Sequence, residues 1–362
     1  MEPPAFIQQY VPLAPLTTLG VGGLARFFTT IQLEAELPVA LAFAAQHELP
    51  VFVLGGGSNL VIADVGFPGL VLQIALRGIE TRVENAGVRL TASAGEVWDD
   101  LVAYCVAQDW AGIECLSGIP GSVGGTPVQN VGAYGQEVSE TIACVRAFDR
   151  QTAQIVEMNK AACRFGYRQS LFNTHERDRF IVLSVTYALH AHGAPALRYA
   201  DLKQFFAAVT VSPTLAEVRA AVLTIRRQKA MVLDPTDPDS RSAGSFFKNP
   251  LISTAEFNAL EAKARRAGVV KAEEPVPHYP ATDTQIKVPA AWLIERAGFA
   301  KGYVRGNVGL SSKHSLAIIN RGGARASEVI GLMREIQNRV QDRFGLLLLP
   351  EPIFLGFEQQ LA

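Results

Sequence analysis

The residues of this 362-residue chain best suited to chemistry begin with two glycine-rich stretches. Gly55-Gly56-Gly57-Ser58-Asn59 follows the apolar tetrapeptide 51–54, which reads as a short strand. Consecutive residues without Cβ atoms can turn several amides toward one anion, and Ser58 and Asn59 add side-chain donors. The motif is neither GxGxxG nor a Walker loop, since no Lys-Ser/Thr follows it. A plain tight turn accounts for it equally well. The second stretch is GIPGSVGGTPVQNVGAYG, residues 118–135. Seven of the chain's 31 glycines fall at 112, 118, 121, 124, 125, 132 and 135. Ile119, Val123, Val128 and Val131 are interleaved with them, so this is no solvated linker. An apolar, glycine-rich segment suggests backbone pressed against a flat buried ligand, its amides donating to carbonyls and phosphates. The alternative is a packed irregular loop without a ligand.

Three further residues have chemistry within reach. Arg168, in FGYRQS (165–170), presents a planar fork that matches a carboxylate and stays charged at any working pH. It also reads simply as a surface arginine at a strand end. Glu351 stands in LLLLPEPIFL (346–355), an ionisable group in an otherwise apolar run. Burying it would be costly without a partner or a task, and a structural ion pair is the competing explanation. Ser245, in SAGSFFKNP (242–250), follows a glycine that leaves room for close approach. Phe246 and Phe247 could keep water from it. On residue type alone, Ser245 reads as a turn or helix-cap serine.

The elements that must position these residues change in style along the chain. Residues 34–47 read as a helix with Pro38 in its first turn, and Pro50 ends it. Strand patterns follow at 51–54, 70–76, 88–92, 142–148 and 180–187, with a helical stretch at 96–109. Up to about residue 190 the chain is strand-dominated and lacks the regular alternation of a doubly wound fold. Thr214 and Glu217 then form a capping box opening a helix with Val218, Val222 and Ile225 on one face. The polar, proline-rich 233–242 reads as a long loop or linker. Helical patterns follow at 254–267, 289–297 and 327–343, the last with Val329, Leu332, Met333, Ile336 and Val340 on one stripe. The stretch 269–288 reads as irregular, and 346–355 as a strand interrupted by Pro350-Glu351-Pro352.

Composition limits the partners. Lys+Arg 33 against Asp+Glu 34 gives a net charge of -1, so a global basic field for nucleic acid or an anionic membrane is absent. Polyanionic ligands would have to be held by local amides or single arginines. Residues of the AVILMFWYC set make up 49%, which excludes disorder along the whole chain. No apolar run approaches a membrane helix, and the start, Met1-Glu2-Pro3-Pro4, does not resemble a signal peptide. The expectation is a soluble, cytoplasmic protein. Cys105, Cys115, Cys144 and Cys163 form no CxxC pair and stand at no metal-ligand spacing to the histidines, so buried reduced thiols are expected, without metal or disulfide.

GGGSN, GIPGSVGGTPVQNVGAYG, FGYRQS, SAGSFFKNP and the late PE, in that order, resemble the UDP-N-acetylenolpyruvoylglucosamine reductase (MurB) family over about residues 16–357. The long central motif is specific, whereas GGGSN is shared with FAD-linked oxidases at large. The resemblance implies an α+β fold: a PCMH-type FAD-binding module of two α/β subdomains (about 16–190) plus a C-terminal α/β substrate-binding domain. The implied boundaries are 1–75 for the first FAD-binding subdomain, joined by the C-terminal strand 344–362, then 76–229 for the second and 230–343 for the substrate-binding domain. It implies non-covalent FAD, NADPH as reductant, UDP-N-acetylglucosamine enolpyruvate as substrate, and a monomer. Carried over residue by residue, cofactor contacts fall on Gly55, Gly56, Gly57, Ser58, Asn59, Ile119, Pro120, Gly121, Ser122, Gly125, Thr126, Asn130, Gly132, Ala133 and Tyr167. Ser245 would be the proton donor, and Arg168 and Glu351 would stabilise the charged intermediate. Tyr199, Lys229 and Asn249 would bind the substrate's diphosphate, Tyr199 on a segment that folds over it. Two other readings are an FAD-dependent oxidase or dehydrogenase of another small substrate on the same module, and a nucleotide-sugar binding protein without turnover.

Overall fold

The computed structural model describes residues 3–84, 87–208, 210–271, 273–282 and 284–358. The outermost positions of the sequence-based boundaries, 1–2 and 359–362, lie outside the described residues. The chain divides into two compact units. The first comprises Met1–Val11, Ala25–Gly57 and Pro68–Val232, and the second Pro12–Leu24, Ser58–Phe67 and Leu233–Ala362.

The first unit is built on an antiparallel sheet whose strands run in the order Gln154–Asn159, Ile142–Asp149, Phe180–Ala191, Gly87–Ser93, Ile79–Glu84. Trp110–Ala111 adds to the far end of the long Phe180–Ala191 strand. A second sheet orders Gln8–Pro12, Leu24–Ile31, Phe67–Ile74 and Val51–Leu54, the last two in parallel. Helix Glu36–Gln46 buries Leu37, Ala40, Phe43 and Ala44 in the same core as Ile31, Leu70 and Leu72. Glu36 ties down the turn before its helix by accepting from the Gln32 and Leu33 amides. Helix Trp98–Ala107 buries Trp98, Leu101, Val102 and Cys105; of the four-residue steps Val97, Leu101 and Cys105 in the sequence, Val97 is instead the exposed N-cap. Helix Leu215–Gln228 starts at the Thr214–Glu217 capping box, with both reciprocal hydrogen bonds present.

In the second unit, helices Thr254–Arg266, Ala290–Arg296 and Ala326–Phe344 share one core with small sheets. Val308–Leu310 lies between Val304–Arg305 and Ile318–Asn320, and Gln285–Lys287 between Leu251–Ser253 and Tyr279–Pro280. Strand Ile353–Leu355 runs parallel to Leu60–Ile62. The apolar stripe of the Ala326–Phe344 helix is buried as its spacing demands.

Two expectations need correction. The stretch 269–288 carries two short strands, which its prolines and charges conceal because both strands are only two or three residues long. The run 346–355 is not one interrupted strand. Ile353–Leu355 pairs as a strand and Pro350 makes only an isolated bridge to Phe247, while Leu347 and Leu349 are 47% and 51% exposed around the fully buried Leu348. Pro350 and Pro352 lack the N–H that a continuous ladder needs. The two edge strands, Ile79–Glu84 and Gln154–Asn159, went unread because edges alternate polar and apolar residues and leave Ile79, Val83 and Ile155 exposed. Strands Gln8–Pro12 and Leu24–Ile31 and helix Ala200–Phe205 also lacked a legible pattern.

Leu348→Ala should therefore destabilise the protein by about 2–4 kcal/mol, and Leu347→Ala by no more than about 0.5 kcal/mol. Denaturant melts of the two variants check this directly.

Candidate active site

In the first unit, strand Val51–Leu54 delivers Gly55–Gly57 against the second glycine segment. A Cβ on Gly56 would sit 2.5 Å from the Gly121 Cα, and one on Gly55 would sit 2.8 Å from the Ser122 hydroxyl. The two loops thus touch backbone to backbone, which only glycine permits. The second loop is pinned from behind. The Trp98 amide donates to the Gly121 carbonyl, Val123 to Glu96, and Gly124 to Ala94. The Gly118 amide donates to Asp99 Oδ1 (2.6 Å), and Asp99 is also gripped by both terminal nitrogens of Arg219. Burial would raise the Asp99 pKa, but Arg219 and the Gly118 amide outweigh it and hold the carboxyl below its ordinary range.

Among the described residues, the amides of Gly55, Gly56, Gly57, Ile119, Gly121 and Ser122 donate no hydrogen bond within the protein. Six free donors on two abutting loops suit a diphosphate. A Cβ on Gly125 would meet nothing within 4 Å, so the wall there is open. The side chains of Thr126 and Asn130 are tied into the protein. The Thr126 hydroxyl is held by the Val123 carbonyl (2.8 Å) and the Tyr187 hydroxyl (2.9 Å). The Asn130 amide donates to Glu137 and the Gly166 carbonyl and accepts from Ser139. Both side chains are buried and committed to holding the loop's shape.

Arg168 lies at the tip of a turn closed by two hydrogen bonds between Gly166 and Gln169. Its φ of +56° is in the left-handed region, which costs a non-glycine residue about 1–2 kcal/mol. Nη2 donates to the Gly132 carbonyl (2.7 Å), Asn173 donates to the Arg168 carbonyl, and the guanidinium stacks over Tyr167 at 5.4 Å. It is half-buried and tied to the glycine segment, not a loose surface arginine. Tyr199 is 44% exposed and meets Tyr134 edge to face at 5.5 Å. Lys229 Nζ donates to Asp201 Oδ2 (2.8 Å). Burial pulls the Lys229 pKa down, but Asp201 and the neighbouring tyrosines bring it above the ordinary value, so the ammonium stays charged.

The second unit holds Ser58, Asn59, Ser245, Asn249 and Glu351. Ser245 is half-buried, and the two phenylalanines after it are almost fully buried in the core, where Phe246 packs on Phe354. They anchor the serine from behind instead of shielding it. Phe246 accepts from the Glu351 amide (2.9 Å) and Lys248 donates to Leu349 (2.9 Å), so the Ser245 and Glu351 segments run side by side. Asn59 Nδ2 donates to the Glu351 carbonyl (3.3 Å), which brings the end of the first glycine motif to the same place. Glu351 is half-buried, less enclosed than its apolar sequence neighbours suggested. Asn249 Oδ1 accepts from the Ala290 amide at the start of helix Ala290–Arg296, leaving its NH2 group for a ligand. The 233–242 loop is pinned by Asp239, whose Oδ2 accepts from Ser311 and Ser312.

Comparison with known proteins now adds to this geometry. Residues 26–159 match the family described as FAD binding domain, and 234–355 match the C-terminal domain of UDP-N-acetylenolpyruvoylglucosamine reductase. The chain is 46% identical over 349 residues to the UDP-N-acetylenolpyruvoylglucosamine reductase of Thermobifida fusca, covering 96% of this chain and 97% of that one. It is 45% identical over 362 residues to the enzyme of the same name from Mycolicibacterium smegmatis, covering 97% and 96%. The chain belongs to the UDP-N-acetylenolpyruvoylglucosamine reductase family. The crystal structure of the Thermus caldophilus reductase superimposes with a TM-score of 0.64 at 26% identity, over 97% of this chain and 100% of that one. The α+β arrangement of an FAD-binding module and a C-terminal domain holds accordingly. The match at 234–355 separates the chain from oxidases that share only the module.

The first unit fits FAD: two glycine loops with free amides for its diphosphate and an open wall at Gly125. Sequence reasoning missed two carboxylates that shape this region, the buried Glu114 and the half-buried Asp99. The one signal available for Glu114 was a charge among Ile113, Cys115 and Leu116.

Two glycines should respond in opposite ways. Gly56→Ala forces backbone against backbone and should lower the melting temperature of FAD-free protein. Gly125→Ala should leave that melt unchanged yet weaken FAD binding by about tenfold or more, read by flavin fluorescence titration.

Proposed function

We propose that this member of the family carries out the reductase reaction in the cytoplasm as a monomer, with Ser245, Arg168 and Glu351 as its catalytic residues. The reaction is reduction of the enolpyruvyl ether of UDP-N-acetylglucosamine enolpyruvate to UDP-N-acetylmuramate, with NADPH as reductant. FAD, held by the two glycine loops, would supply the hydride-transfer chemistry between NADPH and the terminal vinyl carbon. Electron density then moves to the neighbouring carbon and its carboxylate, an enolate-like dianion that needs fixed positive charge, donors and a proton.

Arg168 supplies the cation. Its strained backbone and its bond to the Gly132 carbonyl pre-set the guanidinium before substrate arrives. Glu351 is the second group, with Arg168, that polarises the substrate's carboxylate. Ser245 gives its proton to the carbon. Among the described residues its hydroxyl makes no hydrogen bond, so it can turn to the substrate. The observation that carries this reading is the pairing of the Ser245 and Glu351 segments through the Phe246 carbonyl, which sets a hydroxyl and a carboxyl group on adjacent segments.

Tyr199, Lys229 and the Asn249 NH2 group receive the diphosphate, with Lys229 exchanging Asp201 for phosphate. The FAD-binding subdomains span 1–75 with 344–362, and 76–229, and the substrate-binding domain spans 230–343. Gly55–Asn59 and 119–133 hold the cofactor, Tyr167 beside them.

Ser245→Ala should still let NADPH bleach the flavin but block its reoxidation by the enolpyruvyl substrate. Near-normal reoxidation in single-turnover absorbance would remove Ser245 from the mechanism. Arg168→Lys should slow the same oxidative half-reaction by on the order of a hundredfold, since a point charge does not replace the fork. Slowing of flavin reduction alone would make that assignment wrong.

A further inference from the structure

Glu114 is a buried ionisable group that the mechanism does not use. Glu114 is fully buried, in the 3-10 turn Glu114–Leu116, and no cation pairs with it among the described residues. Its carboxylate accepts three hydrogen bonds, all from N–H groups. Oε2 takes the Gly112 amide (2.8 Å), and Oε1 takes Gln136 Nε2 (2.9 Å) and the Ala196 amide (2.8 Å). Only an acceptor-only group satisfies three such donors at once, and burying a carboxylate is costly without that satisfaction.

The donors come from different places. Gln136 closes the glycine-rich segment and also accepts from the Cys115 amide (2.8 Å). Ala196 begins the segment that carries Tyr199. The Cys115 thiol donates to the Ala196 carbonyl (3.1 Å), so adjacent side chains grip both polar backbone groups of one residue. At the far end of the same segment, Leu202 is buried against Val218, Ala221 and Val222. Tyr199 stands exposed between these two anchors, its ring against Tyr134.

We propose that Glu114 is a positioning residue for substrate binding: it fixes the root of the tyrosine segment to the glycine-rich segment so that Tyr199 is presented at a set height above the nucleotide's diphosphate. This rests on the reading of Tyr199 as a substrate contact. Glu114→Gln keeps size and burial but, with its one oxygen serving Gln136 and Ala196, sets its NH2 group against the Gly112 amide and so weakens the turn that holds the segment. Ala196→Pro deletes the hydrogen bond from the Ala196 amide and leaves the carboxylate in place.

The test is a double-mutant cycle on holoenzyme with Tyr199→Ala, measuring KM for the enolpyruvyl nucleotide sugar, kcat, FAD content and melting temperature. Glu114→Gln and Ala196→Pro should each raise KM about tenfold with kcat largely kept and FAD bound, and neither should raise KM further in the Tyr199→Ala background. A purely structural role would add its effect in both backgrounds. The proposal is overturned if Tyr199→Ala raises KM while Glu114→Gln and Ala196→Pro do not, or if the effects multiply. An unchanged KM in Tyr199→Ala itself removes the reading of Tyr199 and this proposal with it. Where Glu114→Gln fails to fold, Ala196→Pro decides.

Discussion

The contact on which the FAD-binding unit depends is one without side chains. Gly56 and Gly121 stand so close that a single Cβ would reach 2.5 Å from the opposing Cα. That approach lets two loops separated by some 60 residues of chain offer their amides to one ligand. Everything around it keeps the contact in register. The Val51–Leu54 strand aims the first loop, and the Trp98–Ala107 helix holds the second through the Gly121 carbonyl. Asp99 extends the hold to Arg219 on the Leu215–Gln228 helix. A net charge of -1 therefore does not exclude anionic ligands. The positive potential is local and made of backbone dipoles.

Buried polar groups then carry the shape of this surface to its reactive side chains. Asn130 connects the glycine segment to the Gly166–Gln169 turn, and the turn sets Arg168 in a backbone conformation that it would not adopt alone. Glu114 connects the same segment to Ala196. In the second unit, Phe246 and Phe247 are buried next to Ser245, the Glu351 amide donates to the Phe246 carbonyl, and Asn59 donates to the Glu351 carbonyl. These are interactions in which removing one partner strands another in a low-dielectric interior, so each is costly to break.

Much of this was legible in the sequence where a local rule applies. The capping box at Thr214, the stripe of the Ala326–Phe344 helix and the helix at Trp98–Ala107 follow from spacing alone. Glycine clustering located the loops, though not their mutual contact, because close approach of distant backbone has no sequence pattern. Edge strands such as Ile79–Glu84 were hidden by their exposed apolar residues. The four leucines at 346–349 looked like a buried strand, and two of them face solvent because prolines divert the backbone toward residues 246–248. Cys105, Cys115 and Cys163 are buried thiols, pushed up to about 12 chiefly by burial, whereas Cys144 is only half-buried at its strand position. The bond from the Ala290 amide to Asn249 could be seen only in three dimensions.

The central claim is that the glycine loops hold a flavin which passes reducing equivalents from NADPH to an enolpyruvyl nucleotide sugar. The most direct test is an anaerobic absorbance titration of the purified wild-type protein. The account predicts a yellow protein whose flavin absorbance is bleached by one equivalent of NADPH and restored by one equivalent of UDP-N-acetylglucosamine enolpyruvate. A flavin that stays bleached with that substrate, and recovers only when oxygen is admitted, would contradict it.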